Sequence, residues 1–431
     1  MEIINIFCQI LIFITLSFFP SYYFLNLSKG SNELSIINFL GINFLFLLNI
    51  ILIFSFFNFK KEILFIFLLV LSFISLIFFL IKSKVIITKE YILITFLFFL
   101  SFFISVDIAN SFDFSWDAKK YYLPRAFAFF QSFFVDDLFR HTERPYYSTY
   151  IWSFFWKNSL IQYEYFGRMI YGYIYILSII YLLNIKFLSL ITKIVLSFLV
   201  IFMTYNSSFF DGRPDILMFS LFLFLSRELF KIFHENRIFF ADLIILSLIL
   251  NLILWTKSEG AVYVLITFFS IIFFLKNNNK FKIYLGISVI TMLFAKTIFY
   301  NYWGLSLNPN ESHFSLNFFD VLSIKIFIIR TFQIFIWYFV YFFTNPIIIL
   351  TLFVFLYLYI FNKKKIKKFS YIYCFFVLKF LAIYLASIIS VYELSLSFHL
   401  KYTLERVIFH SSGLLLIISI SCLEKFKKDL P

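Results

Sequence analysis

Runs of about 20 apolar residues recur along most of this 431-residue chain, and they constrain its fold more than any other feature. Each run is long enough to cross a hydrocarbon core of about 30 Å as an α-helix. In lipid, every backbone polar group needs an internal partner, which a helix provides. Hydrophobic residues make up 62% of the chain, against about 45–50% in soluble domains. The sequence therefore predicts an all-α membrane protein with about 13 transmembrane helices.

The segment 109–164 interrupts this series of apolar runs. It is rich in Asp, Arg, Tyr and Trp, and no part of it is apolar over a membrane-spanning length. Its patchy amphipathic pattern is typical of short helices at a membrane interface. We divide the chain into an N-terminal transmembrane extension, 1–90, and a transmembrane domain, 91–431, that carries 109–164 as a loop. In the later apolar stretch 321–361, we assign 321–335 to an interfacial helix.

Basic residues set the predicted orientation. The formal net charge is +14, and the lysines and arginines lie mostly in short loops between apolar runs. Because such loops favour the cytoplasm, counting spans places 109–164 on the outer side, although Lys60 and Lys61 then also lie outside. This distribution explains the charge without a nucleic-acid partner. It predicts that an active site in 109–164 faces the periplasm or exterior. The loops used for the count are 227–237, 276–282, 363–368 and the tail 425–428.

Two introduced cysteines test this orientation. We expect cysteines at Ser132, in 109–164, and at Ser312, in the polar loop 304–320, both to react with a membrane-impermeant thiol reagent in intact cells. A parent protein whose three native cysteines are replaced by serine gives the background. Labelling at only one of the two positions would show that the number of spans between them is wrong.

Ionisable residues collect near the predicted outer ends of the spans. Such residues are costly at membrane depth and usually face a cavity or a substrate pathway. Because these residues are all predicted to lie on the outer side, they are the main evidence, from the residues alone, for an extracytoplasmic site. They are Asp113, Asp117, Asp211, Arg213, Asp215, Lys257, Glu259, His313, Glu393, Glu405 and Arg406.

The pair Asp113 and Asp117 has the spacing of two residues on one helix face. Paired carboxylates suit general-base chemistry, in which one abstracts a proton and the other orients it or binds a metal. The alternative is that Asp117 only begins a short helix for which Ser115 is the N-cap. Cations on the same side could stabilise a departing phosphate, although basic residues at span ends often only reach towards lipid headgroups. The candidate cations are Arg213, Lys257 and Arg406.

The sequence WDAKKYYLPR, residues 116–125, resembles the D-x-x-x-Y-H-L-P-R loop of bacterial type C glycosyltransferases. These polytopic enzymes use polyprenyl-phosphate sugars and are related to protein O-mannosyltransferases and aminoarabinose transferases. In that family the acidic residue of the first large outer loop is the proposed base, and Asp117 matches it. Tyr122 stands where the family has a histidine. The catalytic loop normally follows the first span, so the extension 1–90 departs from the family pattern.

Three later motifs resemble the same family in the same order along the chain. They are DGRPD at 211–215, WTKSEG at 255–260 and LERV at 404–407. In the last of these, the family arginine is thought to hold the donor phosphate, and Arg406 matches it. The resemblance implies the type C fold in a bacterial inner membrane, with Asp117 as the catalytic base. Its spacing from Asp117 makes Asp113 the second catalytic candidate. The residues that we assign to substrate binding are Asp211, Asp215, Lys257, Glu259, Arg406, Tyr121 and Arg125.

The predicted function is therefore transfer of a sugar from a polyprenyl-phosphate donor to a glycan, lipid or protein acceptor outside the cytoplasm. No cofactor is required by the pattern; a divalent cation, Mg²⁺ or Mn²⁺, would be held by carboxylates. An O-antigen polymerase or ligase is a second class, but it typically places arginines and a histidine in a late large loop. A transporter or flippase of lipid-linked sugars is a third, and it predicts two related halves that the sequence does not show.

Overall fold

A computed structural model describes residues 2–21, 35–57, 59–82, 90–111, 114–131, 145–234, 240–275, 278–305, 324–361, 363–389 and 396–428. Over these ranges the regular structure is helical throughout, without a strand, which confirms the predicted all-α class. Ser132 and Ser312, with the loop 304–320 beyond Leu305, lie outside the described residues.

The helices of the first half are numbered α1 to α9. A π-helix, Ala118–Tyr122, precedes α5, and a 3₁₀ turn, Ser207–Phe210, precedes α9. The bounds are α1 Glu2–Leu16, α2 Ile36–Ser55, α3 Lys61–Lys82, α4 Glu90–Asn110, α5 Leu123–Phe130, α6 Tyr147–Lys157, α7 Glu164–Leu183, α8 Leu190–Thr204 and α9 Asp215–His234.

The second half contains α10 to α18. A 3₁₀ turn, Gly413–Leu415, connects the last two helices into one continuous helical segment. The bounds are α10 Phe240–Thr256, α11 Gly260–Phe274, α12 Asn279–Tyr302, α13 Ile324–Thr344, α14 Pro346–Phe361, α15 Lys363–Lys367, α16 Ser370–Ile388, α17 Leu396–Ser412 and α18 Leu416–Lys428.

Eight helical segments in the described ranges are long and apolar enough to cross a membrane. Five more apolar helices, α1, α8, α10, α11 and α14, have 15 to 17 residues, which corresponds to about 22–26 Å. Length and composition thus support a membrane protein, while the total of about 13 spans stays a prediction. The eight segments are α2, Lys61–Ile81, Tyr91–Asn110, α7, α12, α13, α16 and His399–Leu423.

The apolar stretch 321–361 divides later than we predicted. A single helix, α13, continues to Thr344, so the assignment of a separate interfacial helix over 321–335 is wrong. The division comes at Asn345-Pro346, because a residue before proline is disfavoured in the helical region. The Asn345 side chain accepts hydrogen bonds from the N–H groups of Ile347 and Ile348, which caps α14.

The core is built around α7 and α9, which pack against each other and are almost wholly buried. Helix α2, from the segment 1–90, shares this core and packs against α7 and α10. Two tyrosines of the loop region fix it there: the Tyr147 hydroxyl donates to the Leu48 carbonyl, and the Ser55 and Tyr146 hydroxyls lie 3.0 Å apart. The first helices therefore support the segment 109–164 directly.

Lys61 is predicted to lie on the outer side, where basic residues are disfavoured, and the structure gives it a specific partner there. Its ammonium donates to the Phe129 carbonyl at 2.5 Å, at the end of α5, and lies 5.5 Å from the centre of the Tyr150 ring. A cation at a helix C-terminus satisfies a free carbonyl and interacts favourably with the helix dipole. The start of α3 therefore lies at the same end of the molecule as the helices of 109–164, as the predicted topology requires.

Candidate active site

Four separate parts of the chain meet at the carboxylate of Asp215. They are the loop before α9, the turn between α10 and α11, the helix α17, and the residues that open the short helix at Trp116. The Asp215 side chain is completely buried at the first turn of α9, where the helix dipole favours a negative charge. A fully buried carboxylate is tolerated only with charged or hydrogen-bonding partners. Asp215 has three hydrogen-bond partners, and Nε of Arg213 lies 3.8 Å from its Oδ2.

The three partners of Asp215 come from distant parts of the sequence. Lys257 donates to Oδ1 at 2.8 Å, and Arg406 donates through Nε to Oδ2 at 2.8 Å. His410 places Nε2 2.7 Å from Oδ1. The two cations offset the desolvation of the carboxylate, so this centre joins α9, α11 and α17 through one buried ionic network.

Arg406 connects this buried centre to an exposed carboxylate. While Nε contacts Asp215, Nη1 donates to Oδ2 of Asp117 at 2.7 Å. The side chains of Asp215, Arg406 and Asp117 are 0%, 17% and 25% exposed, so exposure increases along this series. The guanidinium thus lies between a carboxylate that is part of the core and one that solvent or a ligand can reach.

The Asp117 segment is held in place by the loop before α9. Oδ2 of Asp211 accepts the N–H of Ser115 at 3.2 Å, and its Oδ1 accepts Nε of Arg213 at 2.9 Å. Ser115 in turn caps the short helix through its hydroxyl, which accepts the Ala118 N–H at 3.3 Å, as its N-cap position predicted. Asp211 is itself buried, and its hydrogen bond with the Ser115 backbone positions the residues that lead to Asp117.

Glycine permits the tight path of this loop. Gly212 has φ of +90°, a conformation that residues with a side chain rarely adopt. A Cβ atom at this position would also lie 2.1 Å from the Trp152 ring. Glycine is therefore needed both for the turn and for the close approach to α6, and this approach places Asp211 and Arg213 on either side of the turn.

A second glycine permits the turn that carries Lys257. Gly260 begins α11, and a Cβ atom there would lie 2.2 Å from the Ile253 carbonyl oxygen of α10. The two helices therefore separate within three residues, which directs the Lys257 ammonium to Asp215. Burial alone would raise the pKa of the Glu259 carboxyl, but the Lys257 ammonium, His410 and hydrogen bonds from Ser258 and the Glu259 backbone together outweigh burial and hold that pKa below its usual range.

His410 is the site residue that we did not select from the sequence. Its ring is completely buried, with Nε2 near Asp215 and 3.3 Å from the Lys257 ammonium. Within the described residues its Nδ1 atom has no hydrogen-bond partner, which suits a neutral ring that donates from Nε2. Its spacing of four from Arg406 on one helix would have placed both on the same face.

Other predicted residues have partners elsewhere in the structure. Arg125 is buried and donates from Nη1 to the Pro145 carbonyl at 3.2 Å, and so links α5 to the start of α6. The Tyr121 ring packs edge-on against Trp116, with centres 5.5 Å apart. Asp113, His313 and Glu393 lie outside the described residues, so the predicted pair of Asp113 with Asp117 stays a prediction.

The donor set at Asp215 does not fit a divalent cation. Both oxygens already accept from cationic or N–H groups, and a metal ion there would lie beside the Lys257 ammonium and the Arg406 guanidinium. In the part of the chain that the structure describes, no group of three or more His, Cys, Asp and Glu side chains is arranged to hold a metal.

The chain matches no family model, no curated protein and no solved structure.

Proposed function

We propose that this protein is a polytopic membrane glycosyltransferase of the type C fold, with about 13 spans, that uses a polyprenyl-phosphate sugar as donor. The observation that carries the proposal is the contact between Arg406 and Asp117, 289 positions apart and separated by 2.7 Å. It joins the residue matched to the family's base with the residue matched to its phosphate-binding arginine. The same Arg406 also contacts Asp215, which accepts from Lys257, so these four of the residues selected from the sequence belong to one network.

Asp117 and Arg406 suit the two groups that react in a glycosyl transfer, the acceptor hydroxyl and the departing phosphate. Asp117 is accessible enough to accept a proton from the hydroxyl of an acceptor, as a general base does. Arg406 carries a planar group of N–H donors that matches phosphate oxygens, and a fixed cation stabilises the charge that develops on a departing phosphate. Asp215, Lys257 and His410 hold this arginine in position from the buried side.

The location of the network suits a lipid-linked donor. It lies where α9 and α11 begin and within a helical segment apolar enough to cross a membrane. We place it at the periplasmic or exterior face of a bacterial inner membrane, on the basis of the basic loops. There, a prenyl chain would lie among lipids while its phosphate reaches Arg406. The acceptor would be a glycan, lipid or protein that approaches from outside.

Replacing Arg406 by lysine tests whether this residue binds phosphate. Lysine keeps the positive charge but offers one point charge in place of a planar fork, so Arg406→Lys is expected to raise the KM for the lipid donor about tenfold. The acceptor KM should change little, because the phosphate belongs to the donor. The measurement is initial rate against donor and against acceptor concentration. A donor KM equal to that of the wild type would make Arg406 an interfacial anchor, with Lys257 or Arg213 as the next candidate.

A transporter or flippase of lipid-linked sugars is the second candidate, and one observation favours it. The buried His410–Asp215 pair is of the kind that proton-coupled membrane proteins use as a relay. Purified protein in detergent micelles separates the two, because micelles have no compartments. A glycosyltransferase forms a glycosylated acceptor there with the donor present, whereas a flippase leaves donor and acceptor unchanged. Absence of product with an established donor and acceptor would exclude the proposed reaction.

A further inference from the structure

The guanidinium of Arg406 is bound unequally on its two sides. On the inner side, Nε is fixed to Asp215, which is buried and also bound by Lys257. On the outer side, Nη1 is paired with Asp117, whose side chain is one-quarter exposed. Solvent partly reaches this outer pair, so breaking it costs less than breaking the buried pair, which would leave an uncompensated charge in the core. A competing anion would therefore displace Asp117 and leave Asp215 in place.

One terminal nitrogen of Arg406 has no hydrogen bond to the residues that the structure describes. Its hydrogen bonds to described residues use Nε and Nη1, and Nη2 has none. The two terminal nitrogens form a fork that suits two oxygens of a phosphate. Asp117 already accepts from Nη1, one of these two nitrogens, so a phosphate that binds through both nitrogens competes with Asp117 for Nη1.

We propose that the donor phosphate and Asp117 compete for the outer fork of Arg406, so that binding of the lipid donor releases the Asp117 carboxylate to act as the base. This inference rests on the proposed function and describes how the same site is regulated. In the ion pair, Oδ2 of Asp117 accepts from Nη1 of Arg406 and is directed at the guanidinium. A released Asp117 can direct this oxygen at the hydroxyl of the acceptor, and it is released only when a donor is present.

In the transfer step, one bond to the sugar forms, one breaks, and one proton moves to Asp117. The acceptor oxygen forms a bond to the anomeric carbon of the donor sugar, and the bond from that carbon to the phosphate oxygen breaks, with its electron pair remaining on the phosphate. The hydroxyl proton passes to Asp117, which becomes neutral. The prenyl phosphate gains one negative charge and binds Arg406 more strongly, while neutral Asp117 no longer competes for it.

Release of the product follows from the same competition. When Asp117 loses its proton to solvent, its carboxylate again competes for Nη1 of Arg406. The prenyl phosphate then loses its contact with Nη1 and is displaced towards the lipid. Asp215 keeps the guanidinium in place throughout, because its other partners hold it in the core.

Binding of farnesyl phosphate to the full-length protein in detergent tests the competition. Asp117→Asn removes the competing charge, so it should bind farnesyl phosphate about two- to fivefold more tightly than the wild type, the range expected for loss of one ion pair that solvent partly reaches. Asp117→Ala is the second variant, because asparagine retains an oxygen that can accept from Arg406. Farnesol, which lacks the phosphate, measures binding of the apolar chain alone.

Glu62→Gln is the matched control for net charge. Glu62 lies 3.8 Å from Lys157, at the same end of the molecule as the site, and is about half exposed. Its loss changes the charge by the same amount without touching Arg406, so the affinity should stay within about twofold.

Three outcomes separate the inference from the proposed function. Tighter binding in both Asp117 variants, with Glu62→Gln unchanged, supports the competition. Equal or weaker binding in folded Asp117 variants overturns it, and the glycosyltransferase proposal stands if those variants still lose turnover. Wild-type protein that binds farnesyl phosphate no better than farnesol overturns both.

Discussion

Asp117→Asn is expected to reduce sugar transfer by at least about a hundredfold, the lower end of the contribution of a general base. The change is nearly isosteric and removes only the charge. Because Asp117 lies at the exposed end of the network, its partner Arg406 keeps the contact to Asp215 and the fold should be retained. The measurement is product formation by purified protein with a saturating polyprenyl-phosphate sugar.

Two comparisons make this result specific to the base. Asp117→Glu keeps a carboxylate but displaces it by one methylene, so it should retain more activity than Asp117→Asn. Glu62→Gln, which removes a carboxylate outside the site, should leave turnover close to that of the wild type. Turnover by Asp117→Asn near the wild-type level would remove Asp117 from the mechanism and return the question to Asp113.

The largest loss of stability is expected at Asp215. Asp215→Asn leaves the Lys257 ammonium and the Arg406 guanidinium without their shared buried counter-charge. Removing one member of a buried ionic network costs about 3–5 kcal/mol, because the remaining charge is desolvated and unpaired. The same change should detach α17 from α9 and so reduce transfer as well. Unfolding in mixed micelles with an increasing fraction of denaturing detergent measures the free energy.

Asp242→Asn is the matched control for this prediction. Asp242 also lies in the first turn of a helix, α10, and is equally buried. Its partner Lys231 is 29% exposed at the side chain, so water can solvate that ammonium once the carboxylate is lost. We therefore expect a smaller loss of unfolding free energy than for Asp215→Asn. Equal losses for the two variants would show that the network at Asp215 has no special stabilising role.

Much of the class of this protein could be predicted from the sequence because the relevant signals are local. An apolar run long enough to cross a bilayer must become a helix in lipid, whichever helices lie beside it. The start of the short helix at Trp116 was also predictable, since Ser115 caps it through its own hydroxyl. The end of α13 was missed, although the signal at Asn345-Pro346 is local too.

Only the tertiary structure decided how the polar residues combine. The sequence indicated that Asp117, Asp215, Lys257 and Arg406 lie on one side, but their contacts depend on how α9, α11 and α17 pack, which local periodicity does not specify. For His410 the only sequence signal was its spacing of four from Arg406, and that spacing does not reveal the contact with Asp215 that gives the histidine its role. The sequence also did not show that Asp215 and Asp117 have different roles. Burial decides that one carboxylate anchors the arginine within the core while the other remains accessible to a ligand.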